Sequence, residues 1–110
     1  MAVEAAGSST GTGAGGGVGR GPVTHDVTDP PTGSVLVVTA LTPGLGPVLG
    51  RLAGLVSETG SVLSHLAILA REAAVPTVVG RHGAVADLAD GAVVRVDGHT
   101  GQVTMEEEPP

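Results

Sequence analysis

The sequence contains no cysteine, no lysine and no aromatic residue. Without cysteine, the chain has neither a disulfide framework nor a thiolate zinc site. Without lysine it has no P-loop, because that motif uses a lysine to reach the nucleotide phosphates. The lack of Phe, Tyr and Trp means that the core is built from Val, Leu, Ile and Ala, and that no ring can stack on bases.

Positive charge is also scarce, with 11 acidic residues against 5 basic ones, all of them arginine. An acidic chain without a basic patch is a poor ligand for nucleic acid. No apolar run approaches the roughly 20 residues that a membrane-spanning helix needs, and the N-terminus lacks the charged start and apolar stretch of a secretory signal. We therefore expect a soluble, cytoplasmic protein that binds neither nucleic acid nor a membrane.

The 110 residues suffice for one small domain. Residues 1–15 consist mainly of Gly, Ser, Thr and Ala, a composition that predicts a disordered tail. Gly11, Gly13 and Gly16 form a G-x-G-x-x-G at the end of this tail and the start of the domain, but no strand precedes it and no helix follows, so we interpret it as a chance match. The domain is predicted to span 16–105, and 106–110 to form a solvated acidic tail.

Strands and short helices alternate along the domain. Apolar runs, turn residues and helix formers predict the following elements: irregular edge strands within 16–29, strands at 34–40, 54–58 and 77–80, helices at 45–54, 63–74 and 84–90, and a hairpin at 92–105. This order indicates a single compact α/β domain with a mixed sheet and a C-terminal hairpin.

His65 lies at the start of the predicted helix 63–74, where Ser61 or Ser64 can act as the N-cap. Helical spacing puts Ala67, Ala70 and Ala74 on the packing face, which leaves His65 at the rim. The positive end of the helix dipole favours a neutral imidazole, and the first-turn N–H groups would stabilise a phosphoryl group bound to it. His65 is thus suited to phosphoryl transfer.

The sequence GSVLSHLAILARE at 60–72, followed by VPTVVG at 75–80, resembles the swivelling phosphohistidine domain of phosphoenolpyruvate-utilising enzymes. That family includes pyruvate phosphate dikinase, phosphoenolpyruvate synthase and rifampicin phosphotransferase. Residues 19–23, 33–41 and 90–104 resemble further family segments in the same order. The resemblance implies a β/β/α swivelling fold, in which His65 matches the phosphorylated histidine.

In this family the domain is a carrier that takes a phosphoryl group from ATP or phosphoenolpyruvate at one site and swings to a second. The resemblance implies that this chain binds no cofactor, and that ATP and Mg²⁺ bind to an ATP-grasp partner. A phosphoenolpyruvate, pyruvate or other acceptor domain would act in trans. We expect a stand-alone phosphocarrier subunit of a kinase-type phosphotransferase, inactive without its partners.

Three further residues match the family motif and are candidates for phosphate stabilisation or docking: Gly60, Ser64 and Arg71. Ser64 would either hydrogen-bond the phosphate or cap the helix. Arg71 lies six residues after His65, which at helical pitch places it about 120° around the helix. Direct contact between Arg71 and the phosphoryl group is therefore not favoured, and docking or a salt bridge with a neighbour is an equal alternative.

Two motif positions depart from the family pattern, since many members carry smaller residues where Ser61 and Leu66 stand. An altered docking surface there would favour a different function, a non-catalytic interaction module that retains the swivelling fold. The dikinase branch carries threonine where Leu63 stands, so control by phosphorylation of that threonine is absent. His25, His82 and His99 show no metal-ligand spacing, and we predict no metal site.

Overall fold

The computed structural model describes residues 8–106 of the chain, with side chains described from residue 11 onward. Eight strands are present: β1 (Ser8–Thr10), β2 (Thr12–Gly13), β3 (Val18–Thr24), β4 (Val35–Val38), β5 (Gly54–Ser57), β6 (Thr77–Val79), β7 (Val93–Asp97) and β8 (Gln102–Met105). There are two helices, α1 (His65–Glu72) and α2 (Ala84–Asp87), and a 3₁₀ segment over Pro43–Arg51.

All eight strands belong to one mixed sheet in the order β1-β8-β7-β3-β4-β5-β6-β2. Strands β3 to β6 are parallel to one another, whereas β7 and β8 form an antiparallel hairpin beside β3. The two edge strands β1 and β2 are separated in the chain by Gly11 alone. The sheet therefore curls until these edges meet, as a nearly closed barrel. The predicted α/β class, mixed sheet and C-terminal hairpin are confirmed.

The N-terminal segment 8–15, which joins these edges, corrects the prediction that 1–15 is a disordered tail. The Gly11 N–H donates to the Gly101 carbonyl and the Gly15 N–H to the Gly98 carbonyl, both at 2.8 Å. The composition of 1–15 wrongly predicted disorder for this segment, because backbone hydrogen bonds rather than apolar side chains hold it in place. Residues 1–7 of the predicted tail lie outside the described residues.

Glycine is required where the N-terminal segment crosses the β7–β8 turn. A Cβ on Gly13 would collide with the Gly98 carbonyl oxygen, and one on Gly98 would collide with the Gly15 carbonyl oxygen. Only residues without a side chain allow the two backbones to approach this closely. The glycines that we interpreted as a chance motif are thus close-packing positions of the sheet.

Two apolar clusters lie on opposite faces of the sheet. The inner cluster, enclosed by the curled sheet and closed by α2, contains Val23, Val35, Val37, Val56, Val78, Ala84, Leu88, Val94, Val96 and Val103. The outer cluster, covered by the 3₁₀ segment and α1, contains Leu36, Val38, Leu45, Leu49, Leu52, Leu55, Leu66, Ala70 and Val75. Valine and leucine thus fill both faces without any aromatic residue.

Three predicted helices are shorter or different in type. The segment predicted as a helix at 45–54 is a 3₁₀ turn over Pro43–Arg51, because Pro47 and neighbouring glycines weaken regular α-helical bonding. Helix α2 stops at Asp87. Helix α1 ends at Glu72, so Ala74 is exposed, with φ of 61°, instead of packing inward with Ala67 and Ala70.

The first residue of the predicted acidic tail 106–110 is bound to the sheet. Glu106 forms an ion pair with Arg20, and its backbone N–H donates to the Val93 carbonyl at 2.8 Å. Glu106 is therefore still attached to the sheet. Residues 107–110 lie outside the described part of the chain.

Candidate functional site

His65 is the first residue of α1 and its side chain is exposed. Strand β5 ends at Ser57, and the loop 58–64 leads from the carboxyl edge of the sheet into the helix. Gly60 has a φ of 106°, a left-handed conformation that favours glycine and lets this loop turn back on itself. The loop therefore presents His65 at the rim of the parallel part of the sheet.

Ser64 occupies the N-cap position of α1, with φ of −62° and ψ of 143°. Its side chain makes no cap hydrogen bond to the helix. Instead, Ser64 Oγ accepts a hydrogen bond from the Ser61 N–H at 3.0 Å, and Ser61 Oγ accepts one from the Leu63 N–H at 3.2 Å. The first-turn N–H groups of α1 thus lack a side-chain cap, which leaves them available to an anion.

Arg71 lies in the last turn of α1, at the opposite end of the helix from His65. Six residues of α-helix separate the two residues by about 9 Å along the axis. The side-chain carbons of Arg71 pack over Gly15, where a Cβ would approach Arg71 Cδ within 2.6 Å. The structure therefore brings Gly60 and Ser64 together beside His65 but directs the Arg71 stem to the N-terminal segment.

The loop 39–42, which follows β4, packs beside the loop 58–64, which we call the histidine loop. The Thr59 N–H and Oγ1 both donate to the Thr39 carbonyl, at 3.2 and 2.8 Å. A Cβ on Gly60 would lie 3.6 Å from Leu41 Cδ1, an ordinary van der Waals distance. Two loops that follow adjacent parallel strands are thereby held together.

The loop segments around His65 are uncharged and expose two large apolar side chains among serines and threonines. Leu63 is 81% exposed and Val62 is 40% exposed, both on the loop that leads into α1. Neither 39–42 nor 59–64 contains a charged residue. A negative group attached to His65 would thus meet backbone N–H groups but no cation from these loops.

Leu66 points away from this surface. It is only 5% exposed and packs in the outer cluster. The expectation that Leu66 alters the docking surface beside His65 is therefore wrong, since its side chain is part of the core.

Sequence analysis missed a set of polar contacts that fix the start of α2. The Glu58 carboxylate accepts a hydrogen bond from the Val85 N–H at 2.8 Å. Arg81, which is 8% exposed, donates through Nη1 to Asp87 at 2.9 Å and to the His82 carbonyl. These contacts were not predictable, because a single sequence does not distinguish a buried arginine from one at the protein surface.

The other histidines are dispersed. His25 Nε2 lies 2.9 Å from the Leu88 carbonyl oxygen, whereas His82 and His99 are exposed in loops. Within residues 8–106 no three His, Asp or Glu side chains are grouped as a metal site would require. In the same part of the chain no helix is long and apolar enough to cross a membrane.

Comparison with known proteins assigns the family. The family model described as "PEP-utilising enzyme, mobile domain" matches residues 30–101, a span that includes β4 to β7 and His65. The chain belongs to this family. The family resemblance of the sequence motif around His65 is confirmed, and the mobile domain places its histidine loop at the carboxyl edge of the parallel strands.

Relatives of this mobile domain include enzymes with phosphoryl-transfer names. A probable phosphoenolpyruvate synthase of Archaeoglobus fulgidus is 42% identical over 82 residues, which is 70% of this chain and 11% of the relative. A rifampicin phosphotransferase of Streptomyces sviceus is 38% identical over 73 residues, covering 66% of this chain and 8% of the relative. The chain thus spans about a tenth of the length of these relatives.

A solved structure supports the same fold. The solution structure of the Enzyme I (nEIt) protein superposes with a TM-score of 0.64 at 28% sequence identity, covering 76% of this chain and 34% of that protein. In each of these three comparisons the matched region is part of a larger chain. These relatives therefore carry the domain as one part of a larger protein.

Proposed function

We propose that this mobile domain carries a phosphoryl group on His65 and passes it from a nucleotide-binding partner to an acceptor. The observation that carries this proposal is the exposed imidazole of His65 at the uncapped N-terminus of α1, inside the segment that matches the family model. An exposed nucleophile beside unpaired N–H groups combines what is needed to accept a phosphoryl group and to hold it.

The reaction has two balanced halves. In the first, the unprotonated ring nitrogen of His65 attacks phosphorus, a P–N bond forms, and the bond from phosphorus to the donor oxygen breaks. In the second, an acceptor oxygen attacks the same phosphorus, the P–N bond breaks, and its electron pair returns to the ring nitrogen. The N–H groups at the start of α1 stabilise the negative oxygens in between.

The partner must supply the positive charge. The loops 39–42 and 59–64 contain no charged residue, and Arg71 lies at the far end of α1. Phosphoryl transfer depends on cations and metal ions that neutralise charge on the transferred group. We therefore infer that an ATP-grasp partner binds ATP and Mg²⁺, and that a second partner binds phosphoenolpyruvate, pyruvate or another acceptor.

Exposed apolar residues support docking of this partner at the histidine loop. Leu63 and Val62 stand next to His65, and an apolar patch beside a reactive group is typical of an interaction surface. The alternative function, a non-catalytic interaction module, relied on Ser61 and Leu66. Because Leu66 is buried, only Ser61 still changes the surface, and the carrier function is the better supported.

Phosphoryl labelling tests this proposal. The purified chain is incubated with ³²P-phosphoenolpyruvate or γ-³²P-ATP and a soluble extract of the cells that encode it. We expect one label per chain that is lost in acid and survives alkali, as a phosphoramidate does. His65→Ala should abolish the label, whereas His99→Ala, a change at another exposed histidine, should not. Equal labelling of wild type and His65→Ala would refute the carrier function.

A further inference from the structure

A pocket of about 320 Å³ opens near the carboxyl end of β4. Strand β4 and the loop after it form one wall, the segment after β3 forms another, and α2 contributes the third. The lining residues are His25, Val27, Val37, Val38, Thr39, Ala40, Thr42 and Val85. The lining residues include neither His65 nor any residue of the loop 58–64.

His25 lines the pocket and can supply it with a hydrogen-bond acceptor. Its Nε2 lies 2.9 Å from the Leu88 carbonyl oxygen, which can only accept, so Nε2 carries the proton. In the neutral ring Nδ1 is then an acceptor. No partner for Nδ1 occurs among residues 8–106, and this atom is not among the buried unpaired ones. Nδ1 is therefore open to a donor from a ligand.

We propose that this pocket binds a small, uncharged and mainly apolar molecule that donates a hydroxyl hydrogen to His25 Nδ1. Four valines and an alanine line the pocket, and no Asp, Glu, Arg or Lys does. A mostly apolar concavity with one or two placed polar groups is the usual form of a small-molecule site. Its volume is about twice the ~150 Å³ cavity that holds benzene, which allows one ring and a short substituent.

A competing occupant is an apolar side chain of a second copy of this chain. The chain has no aromatic residue, so a second copy cannot supply a ring. Leu63 is the most exposed large apolar side chain of the described residues, and a second copy could insert it. We favour a free small molecule over this leucine because an alkyl side chain has no hydrogen-bond donor and would leave the acceptor at His25 unpaired.

Methyl NMR with two matched probes tests the proposal on the full chain. Benzyl alcohol and toluene differ by one hydroxyl group, and each is titrated while the valine methyl signals are followed. We expect benzyl alcohol to shift Val37, Val38 and Val85 saturably, with a dissociation constant about threefold lower than that of toluene because of the hydrogen bond to His25. Ala40→Leu, a change at an exposed lining position, should abolish both titrations.

The remaining outcomes count against the proposal. Shifts that do not saturate, or that persist in Ala40→Leu, would show that the pocket is not a site. Equal affinity for toluene and benzyl alcohol would overturn the role of His25. Shifts that follow protein concentration without any probe, and vanish in Leu63→Ser, would assign the pocket to a second copy. His65→Ala should leave both titrations unchanged, so failure of the carrier function would not affect this result.

Discussion

Ser64 Oγ accepts a hydrogen bond from the backbone N–H of Ser61 at 3.0 Å, so the residue before His65 holds its own loop instead of capping α1. Sequence analysis left open whether Ser64 caps the helix or contacts the phosphate. The geometry supports a third role, in which Ser64 fixes the loop that presents His65.

Ser64→Ala should lower the free energy of unfolding by about 1 kcal/mol, the usual net value of one hydrogen bond. Ser61→Ala is the matched control, because it keeps the backbone N–H that donates to Ser64. Its effect should be smaller, since Ser61 Oγ accepts only the longer bond from Leu63. Urea denaturation of both variants measures this. An unchanged midpoint for Ser64→Ala, together with a large loss of phosphoryl labelling, would instead favour direct contact with the phosphate.

The N-terminal segment 8–15 should be required for stability. A chain that begins at Gly16 lacks β1, β2 and the backbone bonds from Gly11 and Gly15 to the β7–β8 turn. Together with the two bonds that Ala14 and Gly15 make with Thr77, the shortened chain lacks four backbone hydrogen bonds. Its free energy of unfolding should therefore be lower by about 3 kcal/mol or more. Thermal unfolding of the shortened and complete chains measures it. Equal melting temperatures would restore the prediction of a disordered tail.

A single substitution at Gly13 tests the same contact between the N-terminal segment and the β7–β8 turn. Gly13→Ala should cost about 1–3 kcal/mol, because its Cβ would collide with the Gly98 carbonyl oxygen. Gly44→Ala is the control, since nothing lies within 4 Å of a Cβ there. If both variants unfold at the same denaturant concentration, the two backbones do not cross as closely as described.

Local features of the fold were predictable, and long-range backbone contacts were not. The β-branched run around Val35–Val38 and the helix formers after His65 carry their own signals. The pairing of Gly15 with Gly98 joins residues far apart in sequence and involves no side chain, so composition alone suggested disorder. The His25 pocket likewise depends on Leu88 being brought against the end of β3.

Ala74→Gly should stabilise the domain. Ala74 follows α1 in the left-handed region, at φ of 61°, while the Val75 N–H donates to the Ala70 carbonyl at 2.9 Å. This is the Schellman arrangement, which favours glycine at the left-handed residue. Relief of the strain, partly offset by the greater entropy of an unfolded glycine, should add about 1 kcal/mol.

Ala73→Gly provides the control for that gain, because Ala73 has an ordinary φ of −84°. This variant should be neutral or slightly less stable than wild type. Denaturation with urea distinguishes the two. A loss of stability in Ala74→Gly as large as that in Ala73→Gly would mean that residue 74 is not left-handed in solution.

Asp97 should make the C-terminal hairpin sensitive to acid. Hydrogen bonds from the backbone N–H groups of His99 and Thr100 lower the pKa of its carboxyl group. A lowered folded-state pKa gives stability that is present above the unfolded value, about 3.9, and lost as the pH falls through the folded value. Carboxyl NMR titration should show this lowered pKa. The free energy of unfolding of Asp97→Asn should decrease less steeply below about pH 4 than that of the wild type. An unaltered slope would contradict the assignment.

Phosphorus-31 NMR of the phosphorylated chain tests the central claim most directly. Protein enriched in ¹⁵N and phosphorylated as in the labelling experiment, but with a donor of natural isotopic composition, should show one phosphorus signal coupled to a ring nitrogen of His65, and acid should remove it. His65→Asn should unfold at the same temperature as wild type, because His65 is exposed, yet give no such signal. A phosphorus signal coupled to no imidazole nitrogen, or one assigned to Ser61 or Ser64, would contradict the account.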